Sequence, residues 1–280
     1  MPSRVRDIMT ENPITYRVPS TVSEIVKVLI KNNITGLPLV DSAKKYVGII
    51  SRRDIFENPQ ESQTAMVMRQ AKPVSPDDSI QAAAQEFVRQ GRRHVAVVGE
   101  DGRIVGILTP QNFLPVVAEM YGNKKVKDLD SLEAIPVWEE TPIAVVSLTM
   151  RMSKTYACPA VDGSGKFTGL VTDRDLFDKI DLRSMIQVSE SGIADDEDPW
   201  NWEGIRNVVT YMIVRNNIQL PEMPVKEIMI RKPVSTNTNE SLSVAAKKML
   251  DGNFNQLPVF KATSDLAGMI FDLQLLRVFL

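Results

Sequence analysis

One cysteine, Cys158, and one histidine, His94, stand in a chain of 280 residues. A lone cysteine cannot close an internal disulfide and fits a reducing compartment. One Cys and one His cannot build a Cys/His zinc site within a single chain. Cysteine–histidine nucleophilic catalysis stays arithmetically open, but no local motif supports it. Long apolar runs are missing as well: "VVTYMIV" at 208–214 falls far short of the ~20 residues that a spanning helix needs. The opening "MPSRVRDIMT" has no apolar signal region. Charge of one sign is also lacking, since 33 bases meet 35 acids for a net −2. Nothing global therefore draws the chain to nucleic acid or to an anionic membrane. These absences lead to the expectation of a soluble cytoplasmic protein with no metal site and no catalytic constellation, and so not an enzyme.

What the sequence does contain is repetition. "GIISRRDIF" begins at Gly48, and "GLVTDRDLF" returns it at Gly169. "GILTPQNFL" from Gly106 and "GMIFDLQLL" from Gly268 are weaker copies. Two of the intervals between these glycines are nearly equal, and the last is lengthened by an insertion. Internal periodicity of this kind governs any reading of the fold. Each glycine follows an apolar strand, "GLPLV" (36–40), "HVAVV" (94–98), "CPAV" (158–161) or "QLPVF" (256–260). Turn-rich "GEDGR" (99–103) and "DGSGK" (162–166) then predict hairpins. "VRDIMTENPI" (5–14) is matched in residue class by "VKEIMIRKPV" (225–234), and more faintly by "VKDLDSLEAI" (126–135).

A helical stripe precedes each first strand. In repeat one Val22, Ile25, Val26, Leu29 and Ile30 lie on one face, and Thr21 and Glu24 have capping-box spacing. Ile80, Ala83, Ala84, Phe87 and Val88 repeat the stripe, closed by Gly91. Leu242, Ala245, Ala246, Met249 and Leu250 do so again, closed by Gly252. "PIAVVSLTMRMSK" is a less regular third copy. Each unit reads as extended segment, helix, strand, turn, strand and helix. The fold class is therefore α/β of the α+β type, with repeats over 1–60, 61–122, 123–180 and 224–280 and an insertion at 181–223.

The order "h-x-[DE]-I-M … helix … G-x-P-h-V … G-h-h-[ST]-x-x-D" resembles the CBS domain, whose tandem pairs are called Bateman modules. The resemblance covers almost all of the chain outside 181–223 and implies two modules packed as a disc. In four-repeat organisation the chain is similar to the nucleotide-sensing gamma subunits of AMP-activated protein kinases.

Within the phrase, Ser51 stands where strand becomes helix, so its hydroxyl and the free amides behind it suit phosphate. A plain helix cap is the alternative. The carboxylate of Asp54 suits the two donors of a ribose diol, and its alternative is a first-turn acid favoured by the helix dipole. Arg52 and Arg53 add positive charge for phosphate oxygens. The resemblance implies nucleotide contacts at Ser51, Arg53 and Asp54, and equally at Thr172, Arg174 and Asp175. It also implies adenine contacts at Ile14, Thr15, Thr35, Gly36 and Leu37, with Ile135, Pro136, Tyr156 and Ala157 as counterparts. Core packing is the alternative for each of these. Arg93 and His94 align with basic phosphate contacts and have solvated charge as their alternative. Repeats two and four depart from the pattern, with Thr109/Asn112 and Phe271/Gln274.

The insertion combines an acidic "ADDEDPW" stretch with a stripe of Ile205, Val208, Val209, Met212 and Ile213. A helix covering its own protein, a lid and a partner-docking helix are its three readings, with Trp200 and Trp202 beside it. The expected function is regulatory binding of AMP, ADP or ATP, reporting energy state to an unidentified regulated protein. S-adenosylmethionine sensing and a scaffold with inert pockets are the alternatives, and homodimer formation stays open.

Overall fold

A computed structural model describes residues 2–179 and 220–280. The expected inserted helix, with Trp200 and Trp202, lies outside the described residues.

The first repeat opens on a single 3-10 turn, Val5–Asp7, rather than on extended chain. The acid causes this: Asp7 Oδ2 accepts the backbone N–H of Arg4 at 2.9 Å and closes the turn. Val126–Asp128 repeats the device through Lys125 and Asp128 (2.8 Å), and Val225–Glu227 is a third such turn. A short strand β1 (Thr10–Glu11), strand β2 (Tyr16–Arg17) and helix α1 (Val22–Lys31) follow. The Thr21–Glu24 capping box is present, and Val22, Ile25, Val26 and Leu29 are fully buried. Strand β3 (Gly36–Val40) then pairs antiparallel with β4 (Tyr46–Ser51) and parallel with β2. Helix α2 (Arg52–Glu57) ends the repeat, and a short α3 (Thr64–Val67) leads onward.

The second repeat has helix α4 (Ile80–Gln90), strands β5 (Val95–Val98) and β6 (Ile104–Leu108), and helix α5 (Leu114–Met120). Gly91 closes α4 in the left-handed region (φ 60°), as its position predicts. The third has β7 (Val137–Trp138), α6 (Ile143–Ser153), β8 (Ala157–Val161), β9 (Phe167–Thr172) and α7 (Asp173–Phe177). The irregular stripe of α6 still buries Ile143, Val146 and Met150. The fourth has β10 (Thr236–Asn237), α8 (Leu242–Gly252), β11 (Gln256–Phe260), β12 (Leu266–Phe271) and α9 (Asp272–Leu275). Here the expected cap is displaced by one residue. Gly252 is the last helical residue, and Asn253 (φ 51°) takes the left-handed turn. No helix among the described residues is long and apolar enough to cross a membrane.

Repeats pair by exchanging their entry segments. Strand β1 leaves repeat one and pairs antiparallel with β6 of repeat two, Thr10 facing Ile107. In return Arg69 of repeat two exchanges both backbone hydrogen bonds with Ile49 of β4, each 2.9 Å. Repeats three and four do the same through Ile230 with Leu170 and Leu132 with Met269. The repeated glycine belongs to this exchange. A Cβ on Gly48 would sit 2.8 Å from the carbonyl oxygen of Arg69, and one on Gly169 would sit 2.9 Å from that of Ile230. Both glycines lie inside a strand.

The two pairs then meet along shared cores. Helices α5 and α8 pack in one cluster that joins Phe87, Phe113 and Val117 of repeat two to Ala245, Ala246 and Phe279 of repeat four. On the other side Phe177 of repeat three enters the core of repeat one, edge-on to Phe56 at 5.7 Å. All four repeats thus surround a common centre.

Candidate functional site

The strand registers make two sets of four residues equivalent. Thr35, Tyr156 and Asn255 stand just before the first strand of their repeats, and by register Arg93, two places before β5, is their counterpart. Just after the phrase's fourth residue stand Arg52, Pro110, Asp173 and Asp272. The two sets are tied by backbone. Arg52, Asp173 and Asp272 donate their N–H groups to the carbonyl oxygens of Thr35 (2.9 Å), Tyr156 (2.9 Å) and Asn255 (2.8 Å). Pro110 has no N–H to donate.

These turns bring opposite charges to the centre. Arg93 donates to Asp272 Oδ2 at 2.5 Å, joining repeats two and four, and both side chains are buried. The Arg93 guanidinium also lies 5.3 Å from the Tyr156 ring centroid, and that of Arg53 lies 4.7 Å from the same ring. Arg52 is 1% exposed over the Phe177 ring at 4.8 Å, and burial lowers its pKa. Burial pushes Asp272 up to about 6, against the opposing pull of Arg93. It raises Asp173 as well, against Arg93 and Arg52. His94 goes the other way. Burial first, then Arg93, Arg69 and Arg52, bring it down to about 3, so the ring is neutral at pH 7. Its Nε2 lies 2.8 Å from Thr35 Oγ1.

The phrase behaves differently in each copy. Ser51 donates its N–H (2.8 Å) and hydroxyl (2.5 Å) to Asp54 Oδ2, while Arg69 Nε donates to Oδ1 at 2.8 Å. Both oxygens of Asp54 are thus engaged by the chain itself, with Arg92 a further 3.9 Å away. Arg53 and Arg92 both reach Glu57, at 2.9 and 2.6 Å. In repeat three Thr172 donates through N–H (2.8 Å) and hydroxyl (2.7 Å) to Asp175 Oδ2. Oδ1 of Asp175 accepts no hydrogen bond among the described residues, and burial raises this carboxyl's pKa. In repeat two Asn112 Oδ1 accepts from Thr109, and its Nδ2 donates to the carbonyl of Ile8 at 2.8 Å. Gln274 Oε1 accepts from Phe271 N–H (2.8 Å), and its Nε2 donates to Ser131 O (3.4 Å). The amides therefore keep the capping role and use their added N–H to hold the partner repeat's entry segment.

Two cavities open beside this centre. The first, of about 260 Å³, has Thr35, Gly36, Arg93 and His94 on one side and Thr109 and Arg174 among its other walls. The second, of about 210 Å³, lies between Ile135, Tyr156, Arg93, Phe271, Asp272 and Gln274, with Glu133 at its edge. The exchange of entry segments decides these groupings. Thr35 and Gly36 face Thr109 rather than Asp54, and Ile135 and Tyr156 face Gln274 rather than Asp175. Arg174, which lines the first cavity, donates to Asn33 Oδ1 at 2.6 Å. Ile14, Thr15 and Pro136 are exposed and line neither cavity, while Leu37 and Ala157 are buried.

Sequence reasoning missed Arg69 and Asp272. The segment holding Arg69, "MRQAKP", is one residue longer than "MTENP" and "MIRKP", which hides its correspondence. Asp272 was visible as the counterpart of Arg52 in the aligned phrase, one place after Phe271 and two before Gln274, the two positions read for polarity.

A family model described as CBS domain matches residues 5–61, 65–119, 126–182 and 225–280. The crystal structure of an uncharacterized conserved protein from Pyrococcus horikoshii shares 27% identity, covering 99% of this chain and 100% of that one, with a TM-score of 0.67. Protein MJ1225 from Methanocaldococcus jannaschii, described as a proposed archaeal homologue of gamma-AMPK, gives a TM-score of 0.78 over 99% of this chain and 100% of its own, at 17% identity. The MJ1225 sequence aligns at 24% identity over 61% of this chain and 68% of its own length. MJ1404 of the same organism is 21% identical over 97% of this chain, which spans 64% of that relative.

Proposed function

This chain belongs to the CBS domain family, and we propose that it is a non-catalytic regulatory protein that binds an adenine nucleotide and passes its occupancy to a partner protein. One observation carries the reading: the first cavity sets hydroxyls, a neutral imidazole and two guanidinium-bearing residues around one space. The His94 ring packs against Gly36, where a Cβ would meet it at 2.9 Å, and Thr35 and Thr109 offer hydroxyls to a ribose. Arg93 and Arg174 suit phosphate oxygens, which guanidinium groups bind in paired geometry. His94, held neutral, adds a donor or acceptor without repelling them. The Thr172–Asp175 turn supplies a second candidate, because among the described residues Asp175 Oδ1 has no donor and suits a ribose hydroxyl. The Ser51–Asp54 turn takes a ligand only if Arg69 swings off Asp54.

S-adenosylmethionine is the second reading, and the second cavity favours it. Glu133, Asp272 and the Tyr156 ring suit a sulfonium better than a phosphate. The test is calorimetric titration of AMP, ADP, ATP and S-adenosylmethionine into wild type, Thr10→Trp and Asp175→Ala. Thr10 is an exposed residue on the wall of the first cavity, so the indole fills it. Loss of one nucleotide site in Thr10→Trp supports the first-cavity assignment. Loss of one in Asp175→Ala supports the ribose role of that carboxylate. Silence with all four ligands on folded wild type sinks the adenosyl reading.

A further inference from the structure

Arg93 lines both cavities, and its charge is committed to only one of them. The guanidinium binds Asp272 and sits over Tyr156, which are both walls of the second cavity. The backbone beside it is anchored. His94 follows in sequence and is pinned to Thr35, so only the Arg93 side chain is placed to change sides. The first cavity otherwise draws its cationic lining from Arg174, whose guanidinium is tied to Asn33.

We propose that the Arg93–Asp272 ion pair couples the two cavities, so that an anion in the first draws the guanidinium off Asp272 and weakens anion binding in the second. This rests on the nucleotide reading of the first cavity. One guanidinium cannot neutralise phosphates on both sides at once. When it turns to the first, the second loses its buried guanidinium and keeps Glu133, Lys154, the Tyr156 ring and Asp272, whose Oδ1 accepts the Leu273 N–H at 2.7 Å. Without that guanidinium the second cavity holds an anion less well. The coupling is reciprocal, as linkage demands: filling the second cavity with an anion weakens the first.

The test isolates the first cavity and then removes its competitor. Ser153 is an exposed residue on the wall of the second cavity, so Ser153→Trp fills that space. ATP is titrated calorimetrically into wild type, Ser153→Trp and Ser153→Trp/Asp272→Asn. Freed from Asp272, Arg93 should tighten ATP binding about fivefold or more, the lower end of measured site-to-site couplings. Equal affinity in the single and double variants overturns the coupling and leaves the nucleotide reading standing. No ATP heat in any of the three overturns that reading, and the coupling with it. Should the double variant fail to fold, wild type decides by nitrogen-15 NMR. Its Arg93 Nε–Hε signal, assigned by its loss in Arg93→Lys, should move when ATP binds. A signal unmoved with ATP bound overturns the proposal.

Discussion

At the scale of the residue, the unusual group is His94, 5% exposed and surrounded by arginines. Its pKa falls from 6.5 to about 3, so the unfolded chain binds a proton over that interval and the folded chain does not. The unfolded state then gains as pH drops, and stability is full above about 6.5 and lost toward 3. By pH 5 the loss amounts to roughly 2 kcal/mol, at about 1.4 kcal/mol per pH unit. Asp272 acts in the opposite sense. Raised from 3.8 to about 6, it holds a proton in the folded state across that window, so its contribution grows as pH falls through it. A bare pH profile mixes the two, and the informative quantity is a difference. Urea unfolding of wild type and His94→Gln at pH 7 and pH 5 should show wild type losing about 2 kcal/mol more between the two conditions. Equal losses would mean that His94 is not buried and neutral as described.

At the scale of the element, the exchange of entry segments makes its own demand on the repeated glycine. A methyl on Gly48 meets the Arg69 carbonyl at 2.8 Å, and that carbonyl is fixed by its bond to Ile49. Gly48→Ala should therefore cost about 1–3 kcal/mol, the range for forcing extra volume into a packed site. Gly122→Ala, where an added Cβ meets nothing within 4 Å, should stay within about 0.5 kcal/mol. Chemical denaturation of the pair compares them directly, and matched stabilities would remove the close-approach explanation. The helices behind this arrangement were legible because their apolar stripes are local: Ile25, Val26 and Leu29 are buried as their spacing implies. The Thr21–Glu24 box and the Gly91 cap were equally local. The exchange was not. Strand β1 is only two residues long, too short to show a period, and nothing in Thr10 or Glu11 says which repeat's edge they join. That one ambiguity separated Thr35 and Gly36 from the Thr109 they face, and left Arg69 out of the site.

At the scale of the whole molecule, the question is whether the two modules unfold together. Their cores are not separate. Phe113 of repeat two packs edge-on to Phe87 at 5.6 Å and to Phe279 of repeat four at 5.7 Å, and the Tyr121 hydroxyl of repeat two donates to Val278 O at 3.0 Å. The ion pair of Arg93 with Asp272 and the Phe56–Phe177 contact join the modules at two further places. A cluster shared in this way makes the stability of each module depend on the other's being folded. Phe279 is 9% exposed within that cluster, so Phe279→Ala should cost about 3–5 kcal/mol, the usual range for deleting a buried ring. Because the ring serves both modules, the loss should appear in one calorimetric transition that moves as a whole, with calorimetric and van't Hoff enthalpies in agreement. Two transitions, with only the later-repeat module shifted, would show that the shared cluster is contact without coupling. A single shifted transition would mean that a ligand bound in either module stabilises both, which is the thermodynamic condition for one cavity to influence the other at the centre of the fold.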